Sequence, residues 1–259
     1  MSVARGSTGL EDRIARLGAA MGIMRRRWVI DGVRYTERTG EPLRRALGEG
    51  GAGVKEFTVR FPGSDPSARR EMKIRVTRTR RFHDLIPDPR VGAYASAGEI
   101  VRPGDRVLEL GCGTGAGSAR LARDCGPSGG LVALDRDGES IRYARQRYAS
   151  NHTAFELGWI ETLSAEPNGA FDALVGVGVL GGAGDDPQRA RDCVELIRVL
   201  RPGAMILLIE ESREDLDEAR ERLLALGCAH ERDPVRGPKE WPVTVLRAPG
   251  EDRPVPGGA

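Results

Sequence analysis

From about residue 98 onward, short aliphatic runs alternate with segments whose apolar positions recur every three to four residues. The first pattern is typical of strands that are covered on both faces, and the second of amphipathic helices. Strands that alternate with helices in this way predict right-handed β-α-β units and a mainly parallel sheet. The predicted strands are 106–110, 131–134, 154–157, 171–177, 204–209, 229–232 and 243–247, and the predicted helices are 115–125, 139–148, 187–200 and 213–226.

The first 80 residues follow a different pattern. A capping box and an amphipathic run predict a helix over 10–21. Asp31-Gly32 stands between two apolar runs, and this dipeptide supplies the positive φ angles of a tight hairpin turn. Residues 57–61 and 72–76 alternate with period two and predict a second hairpin. We therefore expect a small α+β module at 1–80, a larger α/β domain at 81–248 and a frayed tail at 249–259.

Composition narrows the class of protein. A chain of 259 residues can bury a core without disulfides or a structural metal. The four cysteines and three histidines are widely scattered, so we expect reduced thiols, a cytoplasmic location and no metal site. No apolar run approaches the ~18 residues that a membrane span needs.

Charge is spread unevenly along the chain. Residues 1–100 carry 20 Lys and Arg against 12 Asp and Glu, whereas the whole chain has a formal charge of +2. A basic half of this kind can dock on nucleic acid. However, only three of the 40 basic residues are lysine, a bias that GC-rich coding produces on ordinary solvated faces. We therefore favour a solvated face, with nucleic-acid docking as the weaker alternative.

The segment from Val107 to Gly115 carries the most specific signal. A hydrophobic strand runs into three glycines at alternate positions, 111, 113 and 115. Glycine is required where a ligand lies against bare backbone and where the chain adopts a positive φ. An acid, Glu109, stands two residues before the first glycine. A pyrophosphate would be repelled by a carboxylate at that position, whereas a ligand that carries an amine and a sulfonium would be attracted.

A second acid, Asp135, ends the next predicted strand, about 20 residues beyond the glycine turn. An acid in this position accepts hydrogen bonds from ribose hydroxyls. On its own Asp135 also fits a nicotinamide dinucleotide. Together with Glu109 it favours an adenosyl amino acid.

At these residues the chain resembles the class I S-adenosylmethionine-dependent methyltransferases, over roughly residues 98–210. Further landmarks in the same order are the approach at 101–106, Phe171-Asp172 and the segment 200–203. The resemblance implies a Rossmann-like sheet of order 3-2-1-4-5-7-6 with strand 7 antiparallel, and S-adenosylmethionine as the cofactor. It implies that the glycine turn and Glu109 hold the methionine part and that Asp135 holds the ribose. The predicted cofactor contacts are Glu109, Gly111, Cys112, Gly113, Thr114, Gly115, Asp135, Arg136, Gly158, Trp159, Ile160 and Val177.

Two departures refine the resemblance. The family commonly has Gly-Asp-Ala after the third strand, but here residues 158–161 read Gly-Trp-Ile-Glu, a form similar to arsenite methyltransferases and their small-molecule relatives. Gly178 stands where an arsenic-binding cysteine is expected, so we do not expect arsenic chemistry. The loop at 175–182 also lacks the Asn/Asp-Pro-Pro-Tyr sequence of methyltransferases that act on adenine, cytosine or glutamine.

Several residues admit more than one interpretation. Trp159 could pack on the adenine ring or fill the core behind the third strand. Cys112 is more often a small filler than a nucleophile. His83 and Tyr94 lie upstream of the first strand, where this family often builds a lid, and His83 is the candidate base. Glu210 ends the fifth strand at the cofactor edge, or it caps the following helix.

These features predict a methyltransferase that acts on a small molecule, with catalysis mainly by proximity and in-line alignment. The glycines at 176, 178, 181 and 182 are expected to offer the acceptor backbone and space. One alternative is an RNA- or protein-modifying methyltransferase that uses the basic N-terminal module as its docking surface. Another is a cofactor-binding protein without catalysis. The sequence indicates neither the acceptor atom nor the oligomeric state.

We predict that the purified chain binds S-adenosylmethionine and S-adenosylhomocysteine in the micromolar range, and neither NAD nor NADP. The reason is that the carboxylate of Glu109 attracts a cation and repels a pyrophosphate. Isothermal titration calorimetry measures all four ligands. Binding of NAD without binding of S-adenosylmethionine would overturn our interpretation of the Glu109 motif.

Overall fold

The computed structural model describes residues 27–38, 55–62, 71–76, 92–181, 187–234 and 241–250. The chain divides into two compact units, Met1–Asp84 and Leu85–Ala259. The predicted helix over 10–21, the candidate base His83 and the tail from residue 251 lie outside the described residues.

The described part of the N-terminal unit is an antiparallel sheet in the order β1-β2-β3-β4. Asp31 and Gly32 have φ angles of +47° and +78°, which confirms the predicted hairpin turn. The second predicted hairpin also pairs antiparallel. Alternate side chains, including those of Tyr35, Phe57 and Ile74, are buried on one face. The strands are β1 (Arg27–Ile30), β2 (Val33–Arg38), β3 (Lys55–Arg60) and β4 (Glu71–Val76).

The second unit is built on a seven-stranded sheet flanked by helices. Its strands are β5 (Arg106–Leu110), β6 (Gly130–Asp135), β7 (Thr153–Leu157), β8 (Phe171–Val177), β9 (Leu200–Ile209), β10 (Ala229–Arg232) and β11 (Val243–Arg247). Its helices are α1 (Ser118–Cys125), α2 (Gly138–Tyr148), α3 (Pro187–Val199) and α4 (Arg213–Ala225), with 3₁₀ helices at Tyr94–Glu99 and Ile160–Ala165. Among the described residues, no helix is both long and apolar enough to cross a membrane.

The strand order of this sheet is β10-β11-β9-β8-β5-β6-β7. If the strands of this unit are numbered 1 to 7 from β5 to β11, the order is 6-7-5-4-1-2-3. Read from the opposite edge, this is the predicted order 3-2-1-4-5-7-6, which is confirmed. β5, β6, β7, β8 and β9 pair in parallel. β11 runs antiparallel to both of its neighbours, as predicted.

Both faces of the sheet are covered by apolar side chains. Leu108 of β5 packs into a cluster with Leu196 of α3 and Leu216 of α4. Val107, the preceding residue of β5, belongs to a second cluster on the opposite face of the sheet, together with Leu121 of α1. Because successive side chains of a strand point to opposite faces, a continuous apolar run such as that of β5 fills both layers. The central strands are therefore held rigidly where their carboxyl ends meet.

One boundary differs from the sequence-based prediction in a way that shapes the site. Helix α1 begins at Ser118, three residues later than predicted. Gly113 and Gly115 have φ angles of +53° and +85°, which are incompatible with a right-handed helix. A side chain on Gly115 would come within 3.0 Å of Ala144 and Tyr148. The glycines thus form a loop before the helix starts.

Candidate active site

The site lies at the carboxyl edge of the parallel sheet. β5 is paired with β6 on one side and with β8 on the other. The chain order reverses between these neighbours, so the loops that follow β5 and β8 leave a crevice between them. In open α/β sheets, ligands bind at this kind of switch point.

The first glycine of the turn cannot be replaced by another residue without a rearrangement. Gly111 has a φ of +76° and its N–H donates to the carbonyl of Leu134 at 2.9 Å. A Cβ atom there would come within 2.4 Å of the carbonyl oxygen of Val177 and 2.7 Å of the side chain of Val179. The loops after β5 and β8 therefore touch at Gly111.

Asp135 ties the turn to the end of β6. Its Oδ2 accepts a hydrogen bond from the N–H of Gly113 at 2.7 Å, and its Oδ1 accepts one from the N–H of Asp137 at 2.8 Å. A carboxylate offers about four acceptor positions, so Asp135 can accept ligand hydroxyls besides these two N–H groups. Asp137 in turn caps α2, because its side chain accepts from the N–H groups of Glu139 and Ser140.

Glu109 is the most unusual residue of the site, because its carboxyl group is completely buried. The hydroxyl of Tyr94 donates to Oε1 at 2.5 Å, and Oε2 has no hydrogen-bond partner within the described parts of the chain. Burial raises the pKa of Glu109 to about 7, and the negative charge of Asp135 acts in the same direction. The hydroxyls of Ser118 and Tyr94 oppose this shift, although Ser118 falls short of a full hydrogen bond.

A cationic amine would complete this arrangement. A buried carboxylate is costly unless a positive charge or hydrogen-bond donors compensate it. The buried hydroxyls of Thr114 and Ser118, in the turn and at the start of α1, also have no hydrogen-bond partner among the described residues. The amine and carboxylate of an amino acid supply one donor group and one acceptor group for these positions. The residues present therefore fit the methionine part of S-adenosylmethionine.

Tyr94 forms the wall of this site, a role that its sequence position did not indicate. Its ring is buried and lies so close to Gly117 that a Cβ atom there would approach the ring within 2.1 Å. From its place in the sequence, Tyr94 is expected only in a region where a lid is common. Its contact with Glu109, 15 positions later, depends on how the 3₁₀ helix packs against α1 and β5, which no local pattern shows.

The region predicted to meet the adenine contains a cation–π contact. The guanidinium carbon of Arg136, after β6, lies 4.0 Å from the ring centroid of Trp159, after β7. Trp159 and Ile160 are both buried in the core, and the indole Nε1 has no hydrogen-bond partner within the described chain. Of the two interpretations of Trp159, the structure thus places the residue in the core behind the third strand of the unit, with one face covered by Arg136.

Comparisons with known proteins agree with this geometry. A family model described as a methyltransferase domain matches residues 107–203. The chain is 31% identical over 125 residues to a probable cobalt-precorrin-6B C(15)-methyltransferase of Thermoplasma volcanium, covering 48% of this chain and 59% of that protein. It is 29% identical over 119 residues to the ubiquinone/menaquinone biosynthesis C-methyltransferase UbiE of Vibrio campbellii, covering 45% of each.

A solved S-adenosylmethionine-dependent methyltransferase from Aquifex aeolicus has the same fold, with a TM-score of 0.51 at 19% identity over 62% of this chain and 89% of that one. Residues 107–203 thus match the methyltransferase-domain family, within a unit that has the fold of an S-adenosylmethionine-dependent methyltransferase. The chain spans between 32% and 59% of the length of the first curated relatives that it matches.

The loop that follows β8 in the methyltransferase domain is fixed by three charged side chains. The carboxylate of Glu210 accepts from the N–H groups of Val179 and Leu180 at 3.2 and 3.0 Å. Arg189 donates to the carbonyl of Val179, and Arg222 to that of Leu180, both at 2.7 Å. This loop touches Gly111, so its position also sets the shape of the glycine turn.

Glu210 is therefore not the cap of the next helix. Ser212 caps α4 instead, because its hydroxyl accepts from the N–H of Asp215 at 3.0 Å. Burial raises the pKa of Glu210 to about 7, and the charge of Asp215 adds to the shift. The N–H groups of the loop oppose it. The position of Glu210 at the sheet edge was predictable from the sequence, but its hydrogen-bond partners were not.

The glycines of this loop differ from our expectation. A Cβ atom on Gly181 would come within 2.3 Å of the side chain of Asp215, and one on Gly176 within 3.2 Å of Leu208. These two glycines permit close packing and do not leave space for an acceptor. Gly178 has a φ of +61° and faces the ring of Trp241. Gly182 lies outside the described residues.

The cysteines of the methyltransferase domain are structural. All four are buried free thiols. Burial raises the pKa of Cys112 well above its usual range, and the carboxylates of Glu109 and Asp135 add to the shift. Cys112 therefore remains a thiol in the turn. Within the described residues, no three His, Cys, Asp or Glu side chains are placed to hold a metal ion.

The two buried carboxyls predict how stability depends on pH. Each has a pKa raised from 4.5 to about 7 in the folded protein, so the folded state binds a proton more tightly than the unfolded state. The resulting contribution to the free energy of unfolding is fully present below pH 4.5 and is lost as the pH rises through 7. The loss is roughly 3 kcal/mol for each carboxyl. The melting temperature of the ligand-free protein should therefore fall between about pH 5 and pH 8.

Matched variants separate the two contributions. Glu109→Gln and Glu210→Gln should each remove part of the fall in melting temperature, because an amide does not ionise. Glu221→Gln, which alters an exposed residue of α4, is the control and should leave the pH profile unchanged. A melting temperature that rises from pH 5 to pH 8 in the wild type would contradict the burial of these groups.

Proposed function

We propose that this chain transfers a methyl group from S-adenosylmethionine to a small organic molecule. The observation that carries the proposal is the buried carboxyl of Glu109, with Oε2 unpaired in the described structure, beside a turn whose glycines exclude side chains. A site of this kind suits a cationic amino acid that lies against backbone. It does not suit a pyrophosphate.

The residues of the turn would bind and orient the cofactor. Glu109 would hold the amine, the backbone from Gly111 to Gly115 would receive the methionine part, and Asp135 would accept the ribose hydroxyls. When bound, S-adenosylmethionine supplies a methyl group on a sulfonium, which is an excellent leaving group and needs no protonation by the protein. The protein then has to align the acceptor atom with the methyl group and, where the acceptor atom carries a proton, to accept that proton.

The proposed acceptor class rests on two observations. The relatives named above are described as acting on a precorrin or in ubiquinone and menaquinone biosynthesis, and these are small organic molecules. Residues 178–181 after β8 read Gly-Val-Leu-Gly, which lacks the Asn/Asp-Pro-Pro-Tyr sequence of base- and glutamine-directed methyltransferases. Both support a small-molecule acceptor over a nucleic-acid or protein acceptor.

Alignment is the main source of rate in this proposal. Holding two reactants in line can supply roughly 7–11 kcal/mol of the barrier. The loop after β8 is suited to this task because Glu210, Arg189 and Arg222 bind its backbone from three directions. A loop fixed in this way keeps the wall of the acceptor site in one position.

Incubation of the wild-type chain and a metabolite extract with S-adenosylmethionine labelled in the methyl group tests the activity. We predict a labelled product that mass spectrometry detects, with one S-adenosylhomocysteine formed per methyl group transferred. Glu109→Gln should lower the rate at limiting cofactor because it weakens cofactor binding. The variant Glu221→Gln, at an exposed position of α4, should match the wild type. Cofactor binding without any labelled product, in extracts of several organisms, would contradict the proposed activity.

The mechanism makes a separate prediction once an acceptor is known. His83→Ala should lower turnover by about 10²–10⁴-fold if His83 accepts the proton of the acceptor. A chelator should leave turnover unchanged, because alignment requires no metal. Activity that is lost to a chelator and restored by Mg²⁺ would replace the alignment account by a metal-assisted O-methyltransferase mechanism.

A further inference from the structure

The open face of the N-terminal sheet places cations around a pair of threonines. Arg27, Thr36, Thr58 and Lys73 are consecutive partners across β1, β2, β3 and β4. Their side chains point to the face opposite Tyr35, because side chains alternate along each strand. This row thus has a cation at each end and two hydroxyls in the middle.

The neighbouring row brings two arginines into direct opposition. Arg34 of β2 is the cross-strand partner of Arg60 of β3. Like charges directly opposite each other destabilise a sheet. Glu71 compensates one of them, since Nε of Arg60 lies 2.5 Å from its carboxylate. Arg34 is exposed and forms no ion pair with any residue that the structure describes.

The two rows line one cleft of about 630 Å³. Strands lie about 4.8 Å apart, so the four strands span roughly 14 Å. That width accommodates one or two phosphate groups. Two aromatic residues, Trp28 and Tyr35, also line the cleft, but the ring of Tyr35 is completely buried and offers no face to a base. The ring of Trp28 instead lies 6.0 Å from that of Phe57, a residue of the buried face.

We propose that this cleft binds the phosphate group of a small phosphorylated molecule. Thr36 and Thr58 would donate their hydroxyls to the phosphate oxygens, and Arg27, Arg34 and Lys73 would surround its charge. An anion at this position would also relieve the repulsion between Arg34 and Arg60. The Arg34–Arg60 pair does not stabilise the fold, because a neutral residue at position 34 would avoid the repulsion between the two charges. The site is independent of methyl transfer.

Calorimetric titration of the full chain with inorganic pyrophosphate, at ~0.15 M ionic strength, tests the site. The wild type should show saturable binding of one pyrophosphate per chain. Arg34→Gln should weaken it about tenfold, the scale of a lost hydrogen bond to a charged group. Thr36→Val keeps the branched shape of the side chain but removes its hydroxyl group, so it should also weaken the binding of pyrophosphate. The absence of saturable binding by the wild type would overturn the proposal.

Two controls make the result specific. Arg123→Gln removes another exposed charge, from α1, and should bind pyrophosphate like the wild type. An equal loss of pyrophosphate affinity in Arg123→Gln and Arg34→Gln would show that only the net charge of the chain matters, and it would overturn the proposed site. The melting temperature of Arg34→Gln without ligand should equal or exceed that of the wild type, because the variant removes a like-charge pair. A lower melting temperature would contradict the inferred repulsion.

A second arm distinguishes the sources of the phosphate. A 12-nucleotide RNA should bind no more tightly than pyrophosphate, and its affinity should fall steeply with salt. RNA that bound at least about a hundredfold more tightly and lost this binding in Arg34→Gln would assign the phosphate to a nucleic-acid backbone. It would overturn the small-molecule part of the proposal.

Discussion

The site depends on one constraint, the burial of the Glu109 carboxyl at the point where the chain order of the parallel strands reverses. The apolar run of β5 fills both core layers and carries Glu109 into them. The group would cost stability in any fold that gave it no partner. Tyr94 supplies one donor, and Oε2 is left without a hydrogen-bond partner among the described residues. The cost of an unpaired buried oxygen thus becomes affinity for a cation when the ligand binds.

The two loops of the crevice are coupled through packing and hydrogen bonds. Gly111 is in close contact with the loop after β8, and that loop is held by Glu210 at the end of β9. Both acids lie at carboxyl ends of strands, and burial raises the pKa of both to about 7. Their ionisation state therefore influences both halves of the site near neutral pH. A ligand that favours ionised Glu109 shifts this balance without a change of fold.

Much of the fold was predictable because it depends on periodicities that the sequence contains. β5 and β8 have the predicted bounds, and the order of the strands follows from β-α-β chirality together with the resemblance. The start of α1 was placed too early because the helical pattern continues back through glycines whose positive φ only the structure reveals. The contacts of Tyr94 with Glu109, Arg136 with Trp159 and Glu210 with the loop were not predictable. They join positions 15 to 31 residues apart through tertiary packing.

The most direct measurement of the central claim is the number of protons released when S-adenosylmethionine binds. Calorimetry at pH 7 in buffers of different ionisation enthalpy gives this number. With a pKa of about 7, Glu109 is half protonated in the free protein, and a bound amine drives it to the carboxylate. We predict that the wild type releases a substantial fraction of a proton more than Glu109→Gln, in which only the amine of the ligand changes its protonation. Binding of normal affinity in both proteins, with no difference in proton release, would contradict the claim that Glu109 holds the cofactor.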